Sequence, residues 1–440
     1  VYADWVIKLI APGWFSGSVV LPSDSYITQW IKSFAPAWYS TIAAPQAEHA
    51  VMYLRILISF IVFLSSSALL AGALQAVNHF FIPALCSALL NVVFIGGIAI
   101  CMWKGLSVNA LCYFIIFGGL LQFLLHLGTY FKFNFSFARI TERSWGYFKQ
   151  IVFKFIPCLF SMSINEINLF VSTSLASYLP SGSITLIYYA NRFMGIPLGV
   201  FSTAFSTILL PYFSRINIDA PHRLGFYLYE SAKVIFWVTI SSMVVMIFLS
   251  EKIFHTMFLS NKFSLEQVTQ AHYILITFLC GLFFFSLNKI MLNIYYSRQD
   301  TVTPTIVSLL SACVNYCASS LLLPIFGASG LALAIVIASV VQSVLFAVFL
   351  YRIPTFTFHI KEFCKFVMQA VMQIGIIFTF FVVIYNTIMY GISRSCTEHV
   401  TNFLLFKIGF WLWAGPLCLV MAGVLIKTRK LFKVDLYFLD

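Results

Sequence analysis

Long apolar runs near 51–71, 82–103, 107–130, 153–178, 182–211, 226–250, 271–290, 303–325, 329–351, 366–390 and 402–426 alternate with short polar connections. Most have the length, about 20 residues, that an α-helix needs to cross the hydrocarbon layer. None shows the two-residue alternation of barrel strands. The pattern predicts an all-α polytopic membrane protein with about eleven transmembrane helices. Residues 1–50 read differently, because Trp5, Trp14, Trp30 and Trp38 stand among prolines and polar residues. That composition suits a segment lying at the membrane–water interface.

Composition removes the soluble alternatives. With 61% hydrophobic and 9% charged residues and a mean hydropathy of +0.95, the chain has too little polar surface to cover itself in water. The formal charge of +12 would suggest nucleic acid in a soluble protein. In a membrane protein it reports Lys and Arg held on the cytoplasmic side, so no nucleic-acid partner is expected. Alternate connections bear this out: one set carries 14 of the 26 basic residues, including Lys132, Arg139, Arg215, Arg298, Arg352 and Lys427. The opposite set carries six, namely Lys8, Lys32, Lys104, Lys252, Lys262 and Arg394. This places the first residues outside and the C-terminus in the cytoplasm. A chain entering from the cytoplasm then needs an odd number of spans before Val1. Most of the ten cysteines fall in or beside apolar runs without metal-like spacing and read as small hydrophobic residues.

Two runs carry unusual polarity. Residues 153–178 and 182–211 form a helical hairpin closed by Leu179-Pro180-Ser181-Gly182. At 1.5 Å per residue, Glu166 lies about 21 Å and Arg192 about 18 Å from the turn, depths at which they could meet. Asn165 and Asn168 flank Glu166, while Asn191, Tyr188 and Tyr189 flank Arg192. A guanidinium at mid-membrane is costly unless it faces protein or water. Two readings follow: an ion pair that glues two helices, or a cavity arginine whose planar fork holds a phosphate-bearing headgroup. A pyrophosphate calls for further cations in that cavity, and none is apparent at comparable depth. The other basic residues within apolar runs, Arg55, Lys154, Lys233, Lys289 and Lys407, read as lying near span ends with stems reaching headgroups.

Gly195, Pro197 and Gly199 lie just past Arg192 and bend that span, as a static kink or as a hinge for alternating access. Arg298 and Asp300, followed by Pro304, read as a capped helix start in a cytoplasmic connection. Asn91, Gln122, His126, Asn315 and Gln342 are lone polar groups that suit interhelical hydrogen bonds. There is no nucleophile elbow, phosphate-binding loop or metal-spaced His/Cys cluster, so no enzyme and no cofactor is expected.

The stretch from Ser181-Gly182-Ser183 through Tyr188-Tyr189-Ala190-Asn191-Arg192, Ile196-Pro197-Leu198-Gly199-Val200 and Thr207 to Arg215 resembles the MurJ/MviN lipid II flippases. So do Tyr296-Ser297-Arg298-Gln299-Asp300 with Thr303-Pro304, and Trp5-Val6-Ile7 with Ala11-Pro12-Gly13. The resemblance implies a fourteen-helix member of the MOP transporter superfamily, with two six-helix lobes and two terminal helices. It would flip the undecaprenyl-pyrophosphate-linked peptidoglycan precursor outward across the bacterial cytoplasmic membrane. On that pattern, residues 1–50 are a periplasmic or interfacial segment and 51–130 the remaining three helices of the N-terminal lobe. Residues 151–352 form the C-terminal lobe, 366–427 two additional helices and 428–440 a cytoplasmic tail, with three N-terminal spans missing. Arg192 matches the family's cavity arginine in the second lobe. Asn191 and Ser172 stand where relatives often carry Asp, which removes the basis for assuming sodium coupling. Expected partners are the lipid-linked precursor, the phospholipid bilayer and cell-wall synthesis proteins. The competing functions are an exporter of a small solute or another lipid-linked oligosaccharide, and a non-transporting membrane scaffold.

Overall fold

The computed structural model describes residues 6–7, 10–12, 45–77, 79, 81–135, 145–149, 152–153, 155, 159, 163–180, 182–260, 263–352, 360–395, 397–407 and 409–438. Most of the expected interfacial segment over 1–50 lies outside them. The chain divides into two compact units, 1–19 with 41–152 and 20–40 with 153–440.

In the first unit, α1 (Pro45–Ala76), α2 (Phe81–Lys104) and α3 (Val108–Lys132) form a three-helix layer in which α3 packs along both of the others. Gly118 and Gly119 permit that approach. A Cβ on Gly119 would meet the Phe60 ring of α1 at 2.6 Å, and one on Gly118 would meet Leu90 of α2 at 2.9 Å. Small residues at crossings are the usual basis of helix packing where lipid supplies no hydrophobic drive. His126 adds polar adhesion, its Nδ1 lying 2.8 Å from Ser67 Oγ on α1. Asn91 is exposed on α2.

The second unit contains α4 (Ile164–Ala176), α5 (Ser183–Pro197), a π-helical segment (Leu198–Thr203), α6 (Ala204–Asp219) and α7 (Leu224–Phe258). It continues with α8 (Leu265–Cys280), α9 (Leu282–Ser297), α10 (Val302–Tyr351), α11 (Ile360–Ser395), α12 (Glu398–Phe406) and α13 (Phe410–Thr428). The hairpin between α4 and α5 turns at Gly182, whose φ of +99° is a left-handed conformation that side chains disfavour. The 50-residue α10 is two helices in one, since Gly327 breaks it with φ 55° and ψ −132°. Ser311 Oγ donates to Ala338 O across 3.1 Å, so its two arms run antiparallel.

Eight described helices are long and apolar enough to cross a membrane, nine with the bent pair α8 and α9 taken as one span. The two arms of α10 add a further pass. The run at 153–178 is only partly described. Outward-facing residues suit lipid contact: Met102 and Trp103 at the end of α2 are 79% and 83% exposed. The core of the second unit forms three clusters. One, around Phe254, Phe278 and Leu331, lies towards the α4–α5 turn. Another, around Phe213, Leu228 and Phe346, lies towards the far end of α6. The third, around Trp237, Phe381 and Leu425, joins α7 to α11 and α13.

The C-terminal residues depart from a free tail. Val434 and Leu436 are buried, and Lys233 Nζ donates to Asp435 O at 3.2 Å while pairing with Glu230 at 2.8 Å. A buried ion pair needs further hydrogen bonds to offset desolvation. The returning backbone carbonyl supplies one.

Candidate functional site

A cavity of about 200 Å³ opens within the second unit, between α4, α5, α9 and α10. Glu166, Asn191, Gly195, Leu198 and Lys289 line it, with Leu169, Met194, Phe285 and Ile335 forming the apolar walls. Asn191 and Gly195 lie four residues apart on α5 and so share one helical face. Glu166 reaches it from the first turn of α4.

Lys289 is half-buried, and its Nζ donates to Thr203 Oγ1 at 2.7 Å. Among the described residues no carboxylate pairs with it, the ion pair Glu230–Lys233 being elsewhere. An ammonium held by a single neutral oxygen keeps donors for a ligand, since Lys has three.

The Lys289–Thr203 bond is one rung of a ladder. Ser202 Oγ donates to Ser286 Oγ at 2.5 Å, and Asn293 Nδ2 donates to Ser206 O and Oγ at 2.7 and 2.8 Å. Ser286, Lys289 and Asn293 follow the i, i+3, i+7 spacing of one helix stripe on α9. Ser202, Thr203 and Ser206 span the junction of the π-segment with α6. That segment begins directly after Pro197, which has no N–H to continue the helical ladder. The bend region Gly195–Pro197–Gly199 therefore adjoins both cavity and ladder. At Gly195 and Gly199 an added Cβ would meet nothing within 4 Å. Single π-turns inside α-helices are frequent at functional sites.

The expected residues distribute as follows. Glu166 and Asn191 share the cavity. Arg192 is exposed on the adjoining face of α5, in line with Tyr188 and Ile196, which are 48% and 54% exposed. No ion pair joins Glu166 to Arg192 among the described residues, so the pair that would have glued two helices is not formed. Asn168 is buried away from the cavity on α4. Its backbone oxygen accepts from Asn315 Nδ2 at 3.1 Å, and Ser319 donates to Asn315 Oδ1. The contact between α4 and α10 here is made by the backbone of Asn168, while its side-chain Oδ1 is buried without a hydrogen-bond partner among the described residues. The side chain of Asn165 lies outside the described residues. Asp300 Oδ1 accepts from the N–H groups of Val302 and Thr303 at 3.1 and 3.0 Å, capping α10 as its sequence suggests. Pro304 is buried in the first turn and Arg298 is half-buried before it. Among the described residues no group of three His, Cys, Asp or Glu could hold a metal ion.

A family model described as "Lipid II flippase MurJ" matches residues 5–409. The chain belongs to the MurJ family. It is 31% identical over 304 residues to the probable lipid II flippase MurJ of Vibrio cholerae, covering 66% of this chain and 56% of that protein. It is 30% identical over 302 residues to the lipid II flippase MurJ of Burkholderia cenocepacia, covering 67% and 58%. The chain thus spans 56–58% of the length of these two relatives. A solved structure titled "Lipid II flippase MurJ, inward closed conformation" has the same fold, with a TM-score of 0.69 at 22% identity over 98% of this chain and 79% of that one.

The cation missed in this MurJ-family sequence is Lys289. Treating 271–290 as one span puts it at a membrane edge, but Gly281 divides that region and Lys289 falls at the middle of α9. The signal was present: Ser286, Lys289 and Asn293 form a polar stripe at helical spacing through a run that is otherwise apolar up to Ile294 except for Asn288.

Proposed function

We propose that this chain is a flippase for a lipid-linked peptidoglycan precursor, working by alternating access in the bacterial cytoplasmic membrane and making or breaking no covalent bond. Residues 51–130 would be what this chain contains of a first lobe and 151–352 a second, with the basic ends of the spans and the C-terminus in the cytoplasm. The observation that carries this reading is the cavity lined by Asn191 and Lys289, with the exposed Arg192 next to Asn191 on the adjoining face of α5. Lys289 and Arg192 supply the two cations that a pyrophosphate requires. A guanidinium against acyl chains is expensive, so the α5 face that bears Arg192 borders water or the cargo. The apolar tail stays in the bilayer, because moving it through a polar cavity would sacrifice its contacts with lipid. Glu166, beside the cations but unpaired with them, would take their charge when the anion leaves.

Depletion of the resident flippase in a bacterial host, with this chain supplied in trans, tests the reading. Rescue that Arg192→Ala and Lys289→Ala each abolish at normal membrane levels supports it. Rescue by both alanine variants removes the proposed site from transport.

A further inference from the structure

A second cavity, of about 340 Å³, lies at the tip of the second unit where the α4–α5 turn, the start of α8 and the break in α10 converge. Its lining includes Ser183, Glu266, Gln267, Gln270, Tyr273 and Ser329. Local sequence explains why its α8 wall is polar, while Leu186, Ile274 and Phe326 make much of the rest apolar. Ser264 and Gln267 form a capping box that starts α8, with Gln267 Oε1 accepting from Ser264 N at 3.0 Å. That bond turns the Gln267 amide nitrogen free as a donor, close to the Gly182 turn. Glu266, Gln270 and Tyr273 follow at i, i+4, i+7 on one stripe of the same helix. Gln270 Nε2 donates to Glu266 Oε1 at 3.3 Å, which leaves the Gln270 carbonyl as an acceptor. The Tyr273 ring, 57% exposed, forms an open apolar plate beside these groups.

We propose that this cavity is a binding subsite for an uncharged acetamido sugar. No Lys or Arg lines it and Glu266 does, so phosphate and other anions are disfavoured. An acetamido group matches the free pair, its carbonyl accepting from Gln267 Nε2 and its N–H donating to Gln270 Oε1. The aromatic plate fits the apolar face of a pyranose ring. The volume, near the small end of the 300–1,000 Å³ typical of ligand sites, suits a mono- or disaccharide and excludes a peptide helix.

Position relates it to transport. Ser183 precedes Asn191 by eight residues on α5, about 12 Å along the axis at 1.5 Å per residue. A sugar in the tip cavity would extend from a pyrophosphate at Lys289 towards the end of the unit away from Arg298 and Arg352. The subsite would then receive the saccharide of the cargo as it emerges. This placement rests on the flippase reading, whereas the sugar chemistry rests on the lining residues.

The test uses the full chain in lipid nanodiscs, with di-N-acetylchitobiose as probe and cellobiose as its counterpart lacking acetamido groups, read by saturation-transfer NMR titration. The expected result is binding of the chitobiose at millimolar or lower concentration, at least tenfold weaker binding of cellobiose, and at least tenfold loss in Tyr273→Ala and Gln270→Leu. Lys289→Ala should bind within twofold of the parent. Ser329→Trp, which fills the cavity from the α10 side, should abolish binding even if Tyr273→Ala fails to fold. No binding by the parent chain, or undiminished binding by Gln270→Leu and Ser329→Trp, overturns the proposal. Rescue of flippase-depleted cells without chitobiose binding sinks this site and leaves the flippase reading standing. Binding without rescue sinks that reading and leaves the sugar site.

Discussion

Lys289 and Thr203 are 86 residues apart in sequence, yet Nζ and Oγ1 meet at 2.7 Å. The bond ties a cavity-lining cation on α9 to the π-segment that follows Pro197, so a ligand that moved Lys289 would also pull on the bent helix. An anion bound through the two remaining ammonium protons and pulling Lys289 towards itself would strain the bond to Thr203. Ligand and bend can then bias each other, which is the requirement for a bound cargo to shift a conformational equilibrium.

If the proposed site holds, Lys289→Met should remove a charge-assisted interaction with a pyrophosphate. Such bonds contribute about 1.5–3 kcal/mol, or roughly ten- to hundredfold in affinity. Titration of undecaprenyl pyrophosphate into the nanodisc-embedded protein measures it. Thr203→Val keeps the cation and cuts its tether, so affinity should stay within about threefold while the flipping rate changes. Equal loss of affinity in both variants would show that the tether, and not the charge, matters.

Arg192 distinguishes charge from shape. Arg192→Lys retains the positive charge but loses the planar fork that grips two phosphate oxygens together. Rescue of depleted cells should be partial with lysine and absent with alanine, at equal membrane abundance. Full rescue by lysine would mean that any cation on this face of α5 suffices.

The sequence makes the spans and the polar character of the α4–α5 hairpin legible, because both depend on local pattern. Hydrophobic length is set residue by residue, and Arg192 stands out against any apolar run. The surroundings of a polar residue are not local: Asn168 and Asn191 look alike on paper, but packing buries Asn168 and leaves Asn191 on the cavity. That Lys289 lines a cavity was not legible for a related reason. Its place along the helix depends on the bend at Gly281, where α8 and α9 meet at 42°, and apolar pattern alone does not show that bend. The docking of Val434 and Leu436 was equally hidden, since a short apolar pair gives no periodicity to read.

Orientation is a separate prediction. On the proposed orientation, Lys433 faces the cytoplasm and Ser264 the outside. In a background with native cysteines replaced by serine, Ser264→Cys should react with a membrane-impermeant maleimide on intact spheroplasts. Lys433→Cys should react only in inverted vesicles. The reverse pattern would invert the proposed direction of transport.

Gln373 should prove a structural keystone. It is fully buried, accepts from Trp237 Nε1 at 2.9 Å, and donates to Leu425 O at 2.8 Å and Thr428 Oγ1 at 3.0 Å. One side chain thereby joins α7, α11 and α13. Gln373→Leu leaves the indole N–H buried without its acceptor and should cost about 1–3 kcal/mol, visible as a lower melting temperature in detergent. Wild-type melting would show that α11 and α13 are held by apolar contact alone.

Two glycine substitutions should move stability in opposite directions. A Cβ at Gly330 would lie 2.4 Å from Leu322 O, a backbone atom in the tight turn between the arms of α10. Gly330→Ala must therefore displace the turn, and the melting temperature should fall. At Gly195 the added methyl meets open space, and alanine favours helix over glycine by about 1 kcal/mol. Gly195→Ala should leave the protein as stable or more so. If the segment after Arg192 flexes during transport, the same change stiffens it and slows flipping, whereas a static kink predicts an unchanged rate. Stability gained together with activity lost would identify Gly195 as part of a working hinge.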